Sequence, residues 1–403
     1  MNAITRRTVL GGASSLLATP AIVRAQGGGP IRIGEISSYA SAPEFTKPYR
    51  KGWQMAVEEI NARGGVLGRK VTVISRDDEG RTENAVRVAG ELVAGQRVDL
   101  LAGGFLSDVG LAISDYALRA NKLYVAGQPL TDELVWQHGN RVCFRLSPST
   151  YMQTAMLISA AAALPARRWA TVAPDYLYGR SAVKWFKQLL TQRRPDVQFV
   201  AEQWAPLRQL DAGATVTALE RERPDAIFNV TYATDLVRFA REGNVRGLFR
   251  NRSVVSLLTG EPDYLNLLGA DTPVGWIVTG YPGARDESPA NSAFANDYEA
   301  LYQEAPEYGS VIGYSLLHSI AAGILRSGGT GTDQMVRGFA GAEFETPFGP
   351  VTYRPLDHQS TMGTFVGKLA IQDGRGILVD WRYVDGATVM PPDTEIRKMR
   401  PAG

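Results

Sequence analysis

The sequence predicts an α/β protein of two doubly wound parallel-sheet lobes, and three observations carry that reading. The chain has 403 residues, 44% of them hydrophobic and 21% charged, apolar material for two or three cores at about 100–200 residues per domain. Short apolar runs alternate with segments that are apolar on one helical face, the pattern of βαβ units. The alternation breaks once, at residues 141–149, and then begins again.

Each element follows from its residues. Residues 31–36 form a short apolar strand, and Trp53, Ala56, Val57 and Ile60 share one face of a helix that Gly64-Gly65 closes. Residues 71–74 read as a strand, and Ala85, Val88, Ala89, Leu92 and Val93 as the next buried helix face. A strand at 98–102 ends in Gly103-Gly104, a helix follows over about 108–121, and a strand at 123–126 completes the first block. After the extended break, strands are expected at 169–173, 197–204, 226–230, 253–258 and 275–280, with helices between them. Two long helices, 289–304 and 309–327, precede a tail that is short and β-like from Phe348.

Composition removes several functions. The 43 basic residues stand against 41 acidic ones, a net charge of +2, so no basic surplus points to nucleic acid or an anionic membrane. A single cysteine, Cys143, excludes an intrachain disulfide and a Cys-rich zinc site. His138, His318 and His358 are scattered, and His318, inside an apolar helix, reads as a packed core residue. No apolar run is read as approaching the roughly 18 residues of a membrane span. The best dinucleotide-loop candidate, Gly329-Thr-Gly331, carries Gln334 where the last glycine belongs and follows a helix instead of a strand. Gly367-Lys368 has Met362 where a phosphate loop needs its first glycine. The pairs Glu58-Glu59 and Asp77-Asp78 are of the kind that solvated helix faces and strand ends supply routinely. No residue pattern signals catalysis, a cofactor or a metal.

Residues 1–25 read as an export signal: a basic start, a short apolar middle and a small residue, Ala25, at the cleavage position. Arg6-Arg7 ahead of Val9-Leu10 looks like a twin-arginine signal, the alternative being a general secretory signal with two chance arginines. Removal through Ala25 would leave 40 basic and 41 acidic residues. No cysteine follows the cleavage region to carry a lipid.

Six blocks of sequence then carry a resemblance. Glu59-Ile-Asn-Ala-Arg-Gly-Gly-Val-Leu-Gly68-Arg-Lys70 is followed by a strand and Arg76-Asp-Asp78. Next come Phe144-Arg-Leu-Ser-Pro148, Asp175-Tyr-Leu-Tyr-Gly179 and Pro224-Asp-Ala-Ile-Phe228. Ser288-Pro-Ala-Asn-Ser-Ala-Phe294 and Gly349-Pro-Val-Thr-Tyr353 complete the series. In order and spacing the chain resembles the leucine/isoleucine/valine-binding proteins, periplasmic receptors of ABC importers with the type I Venus flytrap fold. The resemblance implies a monomeric, non-enzymatic receptor without cofactor, which captures an organic acid or amino acid and presents it to a membrane permease. It also implies three crossings between lobes, near Arg145–Ser149, Tyr281–Gly283 and Gly349–Val351. Lobe 1 would then be 31–147 plus 283–348, and lobe 2 would be 148–281 plus 350–403, closing about the hinge when ligand binds.

Doubly wound lobes take ligands beyond the carboxyl ends of their strands, and two facing lobes form a cleft. The candidates from lobe 1 are therefore Tyr39, Phe45, Phe105, Leu106, Ser107 and Gln128. From lobe 2 they are Tyr151, Tyr176, Tyr178, Tyr232, Glu261 and Tyr281. Ser107 opens a helix, where free N–H groups and the dipole suit a carboxylate; capping that helix is its alternative role. The resemblance implies that this serine loop holds the ligand carboxylate, that Tyr232 lies across the ligand and that Glu261 receives an α-ammonium group. At Gln128 and Leu130 the chain departs from the family's small residues. So many aromatics exceed what an aliphatic side chain needs and favour a small carboxylate with an aromatic or bulky apolar body. Glu261 favours the alternative, a branched-chain amino acid or amide. A ligand-sensing domain and an exported enzyme on a similar scaffold are the readings from other classes.

Overall fold

The predicted alternation forms two sheets that the chain visits in turn. The computed structural model describes residues 28–401, so the expected export signal lies outside the described residues. The first stretch runs β1 (Ile31–Ser37), α1 (Pro43–Ala62), β2 (Val71–Asp77), α2 (Thr82–Gly90), β3 (Leu100–Gly103), α3 (Ser107–Arg119), β4 (Tyr124–Ala126) and β5 (Cys143–Arg145). Its five strands are all parallel, in the order β2-β1-β3-β4-β5. Every residue of β3 is buried, as expected of a central strand covered by helices on both faces.

The second stretch runs α4 (Thr150–Ala163), β6 (Arg168–Pro174), α5 (Leu177–Arg193), β7 (Gln198–Ala205), α6 (Ala212–Glu222) and β8 (Ala226–Asn229). It continues with α7 (Ala233–Arg246), β9 (Ser253–Gly260), α8 (Pro262–Leu268) and β10 (Ile277–Gly280). The chain then returns to the first lobe with α9 (Pro289–Tyr302), α10 (Tyr308–Ser327), α11 (Thr332–Phe339) and the hairpin β11 (Glu343–Thr346) and β12 (Gly349–Thr352). It ends with β13 (Thr364–Gln372), β14 (Arg375–Val384) and α12 (Asp393–Met399).

The seven-stranded sheet of the second lobe has the order β14-β13-β10-β9-β8-β6-β7, and β13 and β14 run antiparallel within it. The tail that reads as short and β-like therefore holds two long strands. Asp373-Gly374, both in the left-handed region (φ 51° and 74°), make the two-residue turn between them.

Two expectations need correction. The crossing placed at Gly349–Val351 falls inside the β11–β12 hairpin, where Val351 pairs with Phe344. The chain crosses later, where Gln359 pairs with Arg145 and the Ser360 N–H donates to the Arg145 carbonyl. The chain's last turn, expected in lobe 2, also reaches back: the Arg400 guanidinium donates to the carbonyls of Val135, Asn140 and Asp357. The second correction is α10, which by length and composition alone would suffice to cross a membrane. It is instead a core helix, lying backbone to backbone on α1. A Cβ at Gly52 would stand 2.0 Å from the Ser310 carbonyl oxygen, and one at Gly313 2.0 Å from that of Tyr49.

Candidate functional site: a cavity between the lobes

A narrow cavity lies where the carboxyl ends of the two sheets face each other. Phe105, Ser107, Gln128 and Leu130 line it from the first lobe, and Tyr176, Tyr178, Tyr232, Leu258 and Tyr264 from the second. Its free space is about 20 Å³, far below the roughly 300–1,000 Å³ usual for ligand sites, so the walls stand almost closed on each other.

The polar wall is made by backbone geometry. Gly103 and Gly104, at φ 100° and 84°, turn the chain from β3 into α3; a Cβ at Gly103 would stand 2.4 Å from the Ile36 carbonyl. This delivers Ser107 to the first position of α3, whose N-cap, Leu106, provides no side-chain hydrogen bond. Ser107 therefore does not take its alternative capping role. Its Oγ accepts the Thr131 N–H at 3.2 Å, which leaves the hydroxyl proton free to donate. Gln128 is fixed too, its Oε1 accepting from Ser147 Oγ at 2.8 Å.

The opposite wall is aromatic. Tyr232, the N-cap of α7, has ring centroids 5.8 Å from Tyr178, 6.0 Å from Tyr264 and, across the cleft, 6.3 Å from Phe105. Its hydroxyl is 2.9 Å from that of Tyr176. The hydroxyls of Tyr178 and Tyr264 are buried with no partner. Two residues of this wall hold left-handed backbone without being glycine: Ala233, directly after Tyr232, at φ 50°, and Leu258 at φ 65°. Each costs on the order of 1–3 kcal/mol, strain of a kind that collects at ligand clamps.

The surroundings carry acids. Burial pushes the Glu261 carboxyl well above its usual range, with Asp263 adding to the shift. Glu261 Oε2 is buried without a partner, and so is Asp108 Oδ1 in the first turn of α3. Burial likewise drives the phenols of Tyr176, Tyr178 and Tyr264 well above their ordinary value, so they stay protonated.

The structure gathers six of the twelve expected residues at the cavity: Phe105, Ser107, Gln128, Tyr176, Tyr178 and Tyr232. The other six are not among its lining residues. Phe45 backs Phe105 at 5.1 Å, and Leu106 is buried as the N-cap of α3. Glu261 is buried as the N-cap of α8, whose Tyr264 lines the cavity. Tyr39 turns inward, donating to Glu35 Oε2 at 2.9 Å and accepting from Trp53 Nε1 at 3.1 Å. Tyr151 packs edge-on to Trp136 and Trp185. Tyr281 donates to Asn291 Oδ1 at 2.6 Å. Sequence reasoning did not select Leu130, Leu258 and Tyr264. Away from the cavity, His318 is half-buried, not a core residue, with Nε2 3.5 Å from Glu59 Oε2 on α1.

Comparisons with known proteins agree with this fold. Residues 30–375 match the periplasmic binding protein family. The Leu/Ile/Val-binding protein homolog 7 of Brucella abortus is 25% identical over 293 residues, covering 68% of this chain and 70% of that protein. A solute binding protein of an ABC transporter from Rhodopseudomonas palustris, solved with 3,4-dihydroxy benzoic acid, superposes with a TM-score of 0.81. It is 22% identical and covers 91% of this chain and 99% of its own. The isoleucine complex of a branched-chain amino acid transporter substrate binding protein from Streptococcus pneumoniae gives a TM-score of 0.77 at 20% identity, covering 88% and 99%.

Proposed function

The chain belongs to the periplasmic binding protein family, and on that premise we propose that it is the receptor of an ABC importer for a small aromatic carboxylate. The observation that carries the ligand class is the pairing of the two walls. A serine hydroxyl with a free proton stands at an uncapped helix start, opposite four tyrosines. The helix N–H groups and Ser107 supply charge-assisted hydrogen bonds to a carboxylate, and the rings enclose an aromatic body, each well-placed pair adding about 0.5–1.5 kcal/mol beyond area burial. The unpartnered hydroxyls of Tyr178 and Tyr264 are available to an oxygen substituent on the ring. That the Rhodopseudomonas palustris protein was solved with a dihydroxybenzoic acid supports the same class.

Glu261 supports a second reading, a branched-chain amino acid. Its buried Oε2 has no partner, and an α-ammonium group would provide one. Calorimetry with benzoate, 4-hydroxybenzoate and leucine separates the two. Binding of the benzoates without leucine is expected, and tight leucine binding without the benzoates overturns the aromatic reading. The receptor acts as a monomer in the periplasm after loss of residues 1–25 and delivers its ligand to a membrane permease. N-terminal sequencing of exported protein should begin at Gln26.

A further inference from the structure

Asp263 lies on α8 in the second lobe, next to Tyr264 of the cavity wall, and is 2% exposed. Its carboxyl reaches into the other lobe. Oδ2 accepts the Tyr308 N–H at 2.8 Å and Oδ1 the Gly309 N–H at 3.0 Å. Both donors open α10, which is seated on α1 of the first lobe: a Cβ at Gly309 would stand 2.4 Å from the Phe45 carbonyl. The contact thus spans the cleft. Glu307, the N-cap of α10, forms a capping box with Ser310. The first turn of α10 is therefore shared, part satisfied by its own chain and part by a carboxylate from the other lobe. Beside it, Asn266 Nδ2 donates to Glu307 Oε1 at 3.0 Å, again from α8 to α10.

We propose that Asp263 is a positioning residue of the receptor, a latch that clasps α8 to the start of α10 and holds Tyr264 against the cavity when the lobes are together. A buried carboxylate needs donors. Besides its own backbone N–H, the backbone donors to this one are Tyr308 and Gly309 of the opposite lobe, so opening the cleft would strip both of those bonds at once. Burial, with Glu307 adding, pushes the Asp263 carboxyl well above its usual range, and the N–H groups of the helix start oppose that shift. The latch contributes to affinity without touching the ligand, and it rests on the receptor reading, not on the ligand class.

The test compares full-length mature protein with Asp263→Asn and, as a control for the neighbouring contact, Asn266→Ala. Hydrogen exchange without ligand reads the amides of Tyr308 and Gly309 directly. Asp263→Asn should speed their exchange at least tenfold and leave those of β1 and β3 unchanged. Stopped-flow binding of 4-hydroxybenzoate should show dissociation about tenfold faster and association within twofold of the parent. Equal exchange at Tyr308 and Gly309 in the two proteins overturns the latch, and so does a rise spread evenly through the first lobe. Failure of the parent to bind 4-hydroxybenzoate overturns the ligand class alone, because the exchange measurement needs no ligand.

Discussion

The two walls of the cavity are built on opposite plans. In the first lobe the contact groups are few, and the polar ones, Ser107 and Gln128, which stand beside Phe105 and Leu130, are braced by the lobe itself. Ser107 is held by the Thr131 amide, Gln128 by Ser147, and Arg145, wholly buried, donates to the Leu130 and Thr131 carbonyls while its Nε reaches Gln359 at 2.6 Å. In the second lobe the contact groups are large and aromatic. They lean chiefly on one another, and the Tyr178 and Tyr264 hydroxyls are unpartnered. The difference separates two tasks. The braced wall offers fixed donors suited to a group common to many ligands, while the aromatic wall has the shape and the spare hydroxyls to discriminate among bodies.

The largest effect should come from the aromatic wall. Tyr232→Ala removes the ring that meets Phe105, Tyr178 and Tyr264. It should weaken binding of the aromatic carboxylate by about 3 kcal/mol or more, a central hot-spot loss, read by calorimetry. Ser107→Ala removes one hydrogen bond to a charge, about 1.5–3 kcal/mol. If the walls divide their tasks as argued, it weakens benzoate and 4-hydroxybenzoate by the same factor. A loss confined to one of them would break the comparison.

Bracing of the first lobe predicts a pH effect. Burial pushes the Glu35 carboxyl from 4.5 up to about 7, so between these values the folded protein holds a proton that the unfolded chain has released. Stability therefore falls as pH rises through that window. Glu35→Gln should flatten the fall, by an amount on the order of 2 kcal/mol, in urea denaturation at pH 5 and pH 8. The smallest effect is expected for Tyr264→Phe. Losing an unpartnered buried hydroxyl should stabilise the ligand-free protein by about 1 kcal/mol in thermal unfolding. The same change should reduce any preference for 4-hydroxybenzoate over benzoate.

Periodicity carried most of the fold because strands covered on both faces and amphipathic helices write their burial into the sequence. The β13–β14 hairpin was also legible: Asp373-Gly374 between two β-rich runs is a strong hairpin signal. The third crossing was misplaced because Gly349, at φ 97°, serves a hairpin where a crossover was expected. The strand-end rule located six of the nine lining residues, but half of its twelve candidates fall elsewhere, because it fixes the position of a residue and not the direction of its side chain. Tyr39 and Tyr281 sit at strand ends and spend their hydroxyls inward, on Glu35 and Asn291. Tyr264 escaped because it lies inside α8, and Leu258 because it reads as part of its strand, which runs on to Gly260.

The left-handed turns at Ala233 and Leu258 also bear on how tightly such a receptor can bind. Ordering a rotamer-rich side chain at an interface costs roughly 0.5–1.5 kcal/mol each time a partner arrives. Backbone bent into place at Ala233 meets that cost once, when the chain folds, drawing on the surplus of a large buried core. An incoming molecule then finds Tyr232 already standing, and the freedom surrendered on capture is mostly its own tumbling and the swing between lobes. Easing the bend with glycine at 233 would make the protein easier to fold and the ring slower to find its place. Affinity would fall although no atom that touches the ligand had been removed.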